Sequence, residues 1–154
     1  MDDTALGNKG FRKLAGNLNS RDRAEFENQF RDLFSSSEAR HAKGVVYAWV
    51  TQKPIPRLRG ESNIVYIGRT EQTLSDRQRK YAKRENSDYN WARYEFIIPQ
   101  FGAITVMYAD AAAIAKTSEK EPEKAAEAAL LNLYFKDHLE YPPLNEIGIA
   151  KDFG

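Results

Sequence analysis

Cysteine is absent from the chain. That excludes disulfides and thiolate zinc sites. Histidine is scarce as well. His41 and His138 are the only two, too few for a His-rich metal centre. Any resident metal would be held mainly by oxygen, which favours Mg²⁺ or Mn²⁺. No apolar run is long enough to span a bilayer, and no basic start followed by an apolar stretch marks a secretory signal. The expectation is a cytoplasmic or nucleoid-associated protein with no membrane partner. Net charge is lacking too: 23 Lys and Arg stand against 22 Asp and Glu, leaving +1. The whole molecule is no polycation, so any grip on phosphates has to come from a local patch.

Hydrophobic residues make up 42% of the 154, enough for one domain with its own core. The organisation is read as an N-terminal helical extension over 1–40 and a core domain over 41–150. Residues 1–19 are polar, with a loose terminus or a short helix around Phe11–Leu14. Ser20 can cap the helix that follows. Phe26, Phe30, Leu33 and Phe34 recur at i, i+4, i+7 and i+8, one face of an amphipathic helix ending near Ser35–Ser37. That face suits packing on a sheet, with a dimer contact or a DNA arm as the alternative.

Two β-branched, aromatic-rich runs come next, Val45–Val50 and Asn63–Gly68. They read as a hairpin whose loop is the Pro/Gly/Arg-rich segment from Pro54 to Ser62. Its Arg57 and Arg59 can touch a DNA backbone or simply decorate the surface. A basic helix starts near Thr73 or Ser75 and runs to about Arg84. Between 69 and 84 six basic residues (Arg69, Arg77, Arg79, Lys80, Lys83, Arg84) outnumber Glu71 and Asp76. Such a patch is either a solvated helix face or a phosphate-binding surface. Residues 86–101 are read as a helix capped by Ser87 or Asp88, although Tyr94–Ile98 also suits a strand. Ile104–Tyr108 is a third strand, and 111–115 a loop or a helical turn. Ser118-Glu119-Lys120-Glu121 forms a capping box before a helix to about His138, with Pro122 in its first turn. Pro142-Pro143 then holds the chain extended before Asn145.

Several of these residues resemble, in order, the motifs of the GIY-YIG nuclease family. Val45-Val46-Tyr47 stands where the family has Gly-Ile-Tyr. Tyr66-Ile67-Gly68 matches Tyr-Ile-Gly unchanged. Leu74-Ser75-Asp76-Arg77 matches Leu-x-x-Arg, and Tyr81 falls one turn beyond. Glu127 followed by Leu130-Leu131, and Pro142-Pro143-Leu144-Asn145, agree with the family's later features. The matches run from 44 to about 145. Val45 in place of the motif's glycine and the long interval from Glu127 to Asn145 are departures.

The resemblance implies an α+β fold, a three-stranded antiparallel sheet flanked by helices, here with an extra N-terminal helix. It implies metal-dependent hydrolysis of DNA phosphodiesters. Tyr47 would be the general base, directly or through a metal-bound water, and Tyr66 would position the water or a phosphate oxygen. Arg77 would bind the scissile phosphate, and Glu127 would be the one side-chain ligand of a single Mg²⁺ or Mn²⁺. Asn145 would hold the site together, and Tyr81 would contact the phosphate or relay a proton. Gly68 would permit a strand-to-loop turn and close backbone approach. A free tyrosine titrates near a pKa of about 10, so Tyr47 needs a cation beside it to act near neutrality. Cutting both strands needs two sites, which a homodimer on DNA would supply. The competing reading is a catalytically silent nucleic-acid-binding or assembly module on the same fold.

Overall fold

The computed structural model describes residues 1–82, 87–116 and 120–145. In chain order its elements are α1 (Asp3–Asn8), β1 (Arg12–Lys13), α2 (Arg23–Leu33), α3 (Ser37–His41), β2 (Lys43–Pro56), β3 (Glu61–Thr73) and α4 (Leu74–Gln78). A 3-10 turn (Arg79–Tyr81), α5 (Asp88–Phe101), β4 (Thr105–Asp110), α6 (Ala111–Ala115) and α7 (Pro122–His138) follow. The strands form one antiparallel sheet in the order β1-β4-β2-β3, flanked by helices, so the fold is α+β. The sequence suggests three strands and the structure has four. The addition is β1, which pairs Arg12 with Tyr108 and Lys13 with Met107. Two residues cannot show an alternating pattern.

The hairpin strands run further than their sequence suggests. β2 and β3 pair as far as Pro56↔Glu61, and only Arg57–Gly60 turn, with Gly60 at φ 70°. Pro54 and Pro56 therefore lie inside a strand instead of a loop. The physical reason is one-sided pairing. β4 accompanies β2 only from Val45 to Val50, and past Val50 β3 is the one partner strand among the described residues. A proline there can turn its missing N–H outward without breaking a ladder bond. β3 likewise continues through Gly68 to Thr73.

Period-two alternation along β2 serves two cores. Val45, Tyr47 and Trp49 join one with Phe26, Phe30 and Tyr94. Val46, Ala48 and Val50 join the other with Leu6, Leu130 and Tyr134. The phenylalanine face of α2 packs on the sheet, as the first reading had it: Phe30 meets Trp49 at 6.0 Å between ring centroids, and Phe26 meets Tyr94 of α5 at 4.7 Å. Asp22 caps α2 by accepting from the Glu25 N–H at 2.9 Å. Ser20, the expected cap, instead braces Asp22. In place of a loose terminus or a helix around Phe11–Leu14, α1 at Asp3–Asn8 buries Leu6 and β1 joins the sheet, so residues 1–40 share the sheet and both cores with the rest.

Ser87 caps α5, which is helical throughout as expected and ends at Gly102, φ 90°. The 111–115 segment is helical. α7 ends at His138 as expected but starts only at Pro122, with Glu121 in the cap position and not at the end of a capping box. Ser118 and Glu119 of the anticipated capping box lie outside the described residues. No helix among the described residues is long and apolar enough to cross a membrane.

Candidate active site

Tyr47 and Tyr66 sit on the paired strands of the hairpin. Tyr47 lies opposite Gly68, and Tyr66 opposite Trp49. Directly opposed residues of an antiparallel pair share a face, and the two tyrosine rings stand 6.1 Å apart. Gly68 makes this possible by lacking a side chain. A Cβ there would lie 2.6 Å from Tyr47 Cε2 and 2.7 Å from Tyr66 Cε1. The glycine therefore serves close approach within a strand, and not the turn expected of it.

Thr73 ends β3 and caps α4, accepting from the Asp76 N–H at 3.0 Å. The short helix carries Arg77 and Gln78 back over the tyrosines. Gln78 is buried and its Nε2 donates to Tyr47 Oη at 2.6 Å. Arg77 Nη1 donates to Tyr81 Oη at 2.7 Å, and its guanidinium also lies against the Tyr47 hydroxyl. Sequence reading missed Gln78. Its one signal was adjacency to Arg77 on a helix facing the sheet.

Glu127 arrives from α7, whose Leu130 and Leu131 are buried against the sheet. Its Oε1 accepts from Arg69 Nε at 3.3 Å. Arg69 lies opposite Val46 on β3. Tyr47, Tyr66, Arg69, Arg77 and Glu127, together with the stretch 70–72 of β3, line one open cleft of about 490 Å³. Five residues from four separate stretches of chain thus meet in one place.

The electrostatics of the cleft pull in two directions. Burial pushes the Tyr47 phenol far up, helped by Tyr66 and Glu127, and the charge and hydrogen bond of Arg77 only partly oppose it. A phenol at such a site stays neutral near neutrality, so the lowering expected from Arg77 alone is outweighed. Glu127 is pushed above its usual 4.5 by burial, against the pull of Arg69 and Arg77. Among the described residues it is the one carboxylate half-sunk in the cleft. Glu71, at the rim, is exposed.

A hard divalent cation is compatible with this donor set. Glu127 would contribute a carboxylate oxygen, and the remaining places would fall to water and phosphate oxygens. Among the described residues no three His, Asp or Glu side chains gather to hold a metal.

The other candidates are placed differently. Asn145 holds the strand beside the tyrosines: its Nδ2 donates to the Ile67 carbonyl at 2.9 Å, and its Oδ1 accepts from the Ile67 N–H at 3.0 Å. Arg57 and Arg59 are not brought to the cleft. Arg57 donates to the Tyr141 carbonyl at 2.8 Å and pairs with Glu140 at 3.0 Å. Arg59 donates to the carbonyls of Asp137 and Lys136. Arg59 thus grips the end of α7, where a cationic side chain satisfies the last carbonyls and the helix dipole, and Arg57 holds the segment just beyond it. Asp137 is ten residues beyond Glu127 on that helix, about 15 Å along its axis. Arg79 is exposed in the 3-10 turn. Lys83 and Arg84 lie outside the described residues, as does the Lys80 side chain. No family model, curated protein or solved structure matches the chain.

Proposed function

We propose that the protein is a divalent-metal-dependent DNA endonuclease of the GIY-YIG type. The observation that carries this reading is the convergence of Tyr47, Tyr66, Arg77 and Glu127 on one open cleft. Hydrolysis of a phosphodiester needs a proton acceptor for water, fixed positive charge at phosphorus and relief for the leaving oxygen. Arg77 supplies permanent charge and a planar fork suited to phosphate oxygens. Its bond to Tyr81 holds that fork against the tyrosines. Tyr66 would orient the water or a phosphate oxygen. Tyr47 Oη can accept a hydrogen bond from the attacking water, and the nearby guanidinium draws it toward phenolate. A Mg²⁺ or Mn²⁺ ion at Glu127 would supply the further positive charge that burial of the phenol demands.

The test is incubation with supercoiled plasmid and Mg²⁺. We expect nicked or linear product from the parent, none with EDTA, and losses of roughly 100- to 1,000-fold in Arg77→Ala. Glu127→Gln should also abolish cleavage, and Tyr47→Phe should slow it by orders of magnitude. Cleavage indifferent to all three changes would sink the assignment.

A second reading is a silent nucleic-acid-binding or assembly module on the same fold. The observation favouring it is the deep burial of Tyr47, whose phenol is held neutral. It predicts salt-sensitive DNA binding without cleavage on supercoiled, branched and single-stranded substrates alike.

A further inference from the structure

The carboxylate suited to hold a cation already has a positive partner. Arg69 Nε stands 3.3 Å from Glu127 Oε1. The side chains are 37% and 27% exposed, so the pair faces the cleft and can part without disturbing the core. A half-buried carboxylate needs a positive neighbour, and Arg69 provides it. A divalent ion on the same carboxylate would face the guanidinium across a few ångströms, where like charges repel strongly. The backbone of Arg69 is fixed by pairing with Val46, one residue from Gly68. A guanidinium leaving Glu127 would therefore stay over the cleft, within reach of whatever enters it.

We propose that Arg69 is an exchangeable counter-ion. Without a cation it neutralises Glu127; a divalent cation takes the carboxylate from it; the released guanidinium then binds a phosphate oxygen of nucleic acid. This rests on the nuclease reading of the cleft. Its consequence is reciprocal coupling: cation and nucleic acid each bind more tightly when the other is present, and Arg69 adds to the coupling that direct phosphate ligation gives.

The experiment is Mn²⁺ titration of the full chain followed by electron paramagnetic resonance, alone and with a cleavage-resistant phosphorothioate duplex. The signal of Glu127→Gln under the same conditions is subtracted. For the parent, the duplex should tighten Mn²⁺ binding about tenfold or more. Arg69→Ala and the bulkier neutral Arg69→Gln should bind Mn²⁺ several-fold more tightly than the parent without DNA. In both, the duplex should tighten it clearly less than in the parent, the remainder coming from phosphate oxygens on the ion itself. Duplex binding by these variants should lose about one unit of log–log salt slope. Unchanged or weaker Mn²⁺ affinity in both variants, or a duplex effect as large in them as in the parent, would overturn the proposal. So would a parent indistinguishable from Glu127→Gln, which would also remove the metal from the proposed function. If the variants behave as expected while the parent cuts no plasmid, the counter-ion role stands and the nuclease reading alone falls.

Discussion

Gly68 and Glu127 are the residues on which the cleft depends most directly. Gly68 leaves the space into which the Tyr47 and Tyr66 rings lean. Gly68→Ala puts a methyl group less than 3 Å from both rings. It should cost about 1–3 kcal/mol by overpacking and reduce cleavage together with stability, read by thermal unfolding beside the plasmid assay. Glu127 carries a pH signature. Its folded-state pKa lies above 4.5 because burial disfavours the charge. The folded protein therefore holds that proton more tightly than the unfolded chain. Its contribution to stability is fully present below 4.5 and is lost as pH rises through the elevated value. Glu127→Gln, which cannot ionise, should accordingly unfold at a higher temperature than the metal-free parent at neutral pH. The gap should close as pH falls below the ordinary carboxylate range. A variant less stable than the parent at pH 7 would show that the Arg69 pair outweighs burial.

At the scale of elements, the turn of the β2–β3 hairpin and the end of α7 form one joint. Arg59 binds two terminal carbonyls of the helix, and His138 reaches back to the Arg59 carbonyl at 2.9 Å. Arg59→Ala should cost about 0.5–1 kcal/mol, the scale of a cation at a helix C-terminus, while leaving DNA affinity unchanged. The two measurements together separate anchor from DNA contact. The same joint shows what the sequence could and could not disclose. The helices α2, α5 and α7 were legible because apolar spacing and, for α5, the Ser87 cap are local, while the caps read for α2 and α7 lay a few residues off. The placement of Tyr47 and Tyr66 on paired strands was legible too, since each lies in a strong strand-forming run. The strand character of Pro54 and Pro56 was not, because it depends on β4 stopping at Val50. β1 was too short to carry a pattern. The destination of Arg57 and Arg59 depends on where a helix some 80 residues later happens to end. Gln78 was overlooked because a glutamine has no chemical signature until its partner is seen.

For the whole molecule, near-neutral net charge would confine the proposed DNA binding to one side. With a net charge of +1, long-range attraction is slight and the local contacts decide. Arg79→Ala should reduce the log–log salt slope of duplex binding by about one unit. Arg57→Ala, whose side chain is committed to Glu140 and Tyr141, should leave the slope where it was. A slope that drops equally for both would mean that the DNA path runs down the hairpin to the end of α7. Fluorescence anisotropy between low and moderate salt reads all three proteins.

The two bonds from Asn145 to Ile67, with the Leu144 N–H on the Val65 carbonyl at 2.8 Å, have a bearing on solubility. β3 is an edge strand of the sheet, and its free side would otherwise offer unpaired backbone groups to the strand of another molecule. A side-chain amide that donates and accepts like a peptide group occupies that template without extending the sheet. Asn145→Ala should therefore show itself less in the unfolding temperature than in concentration-dependent self-association, visible by light scattering.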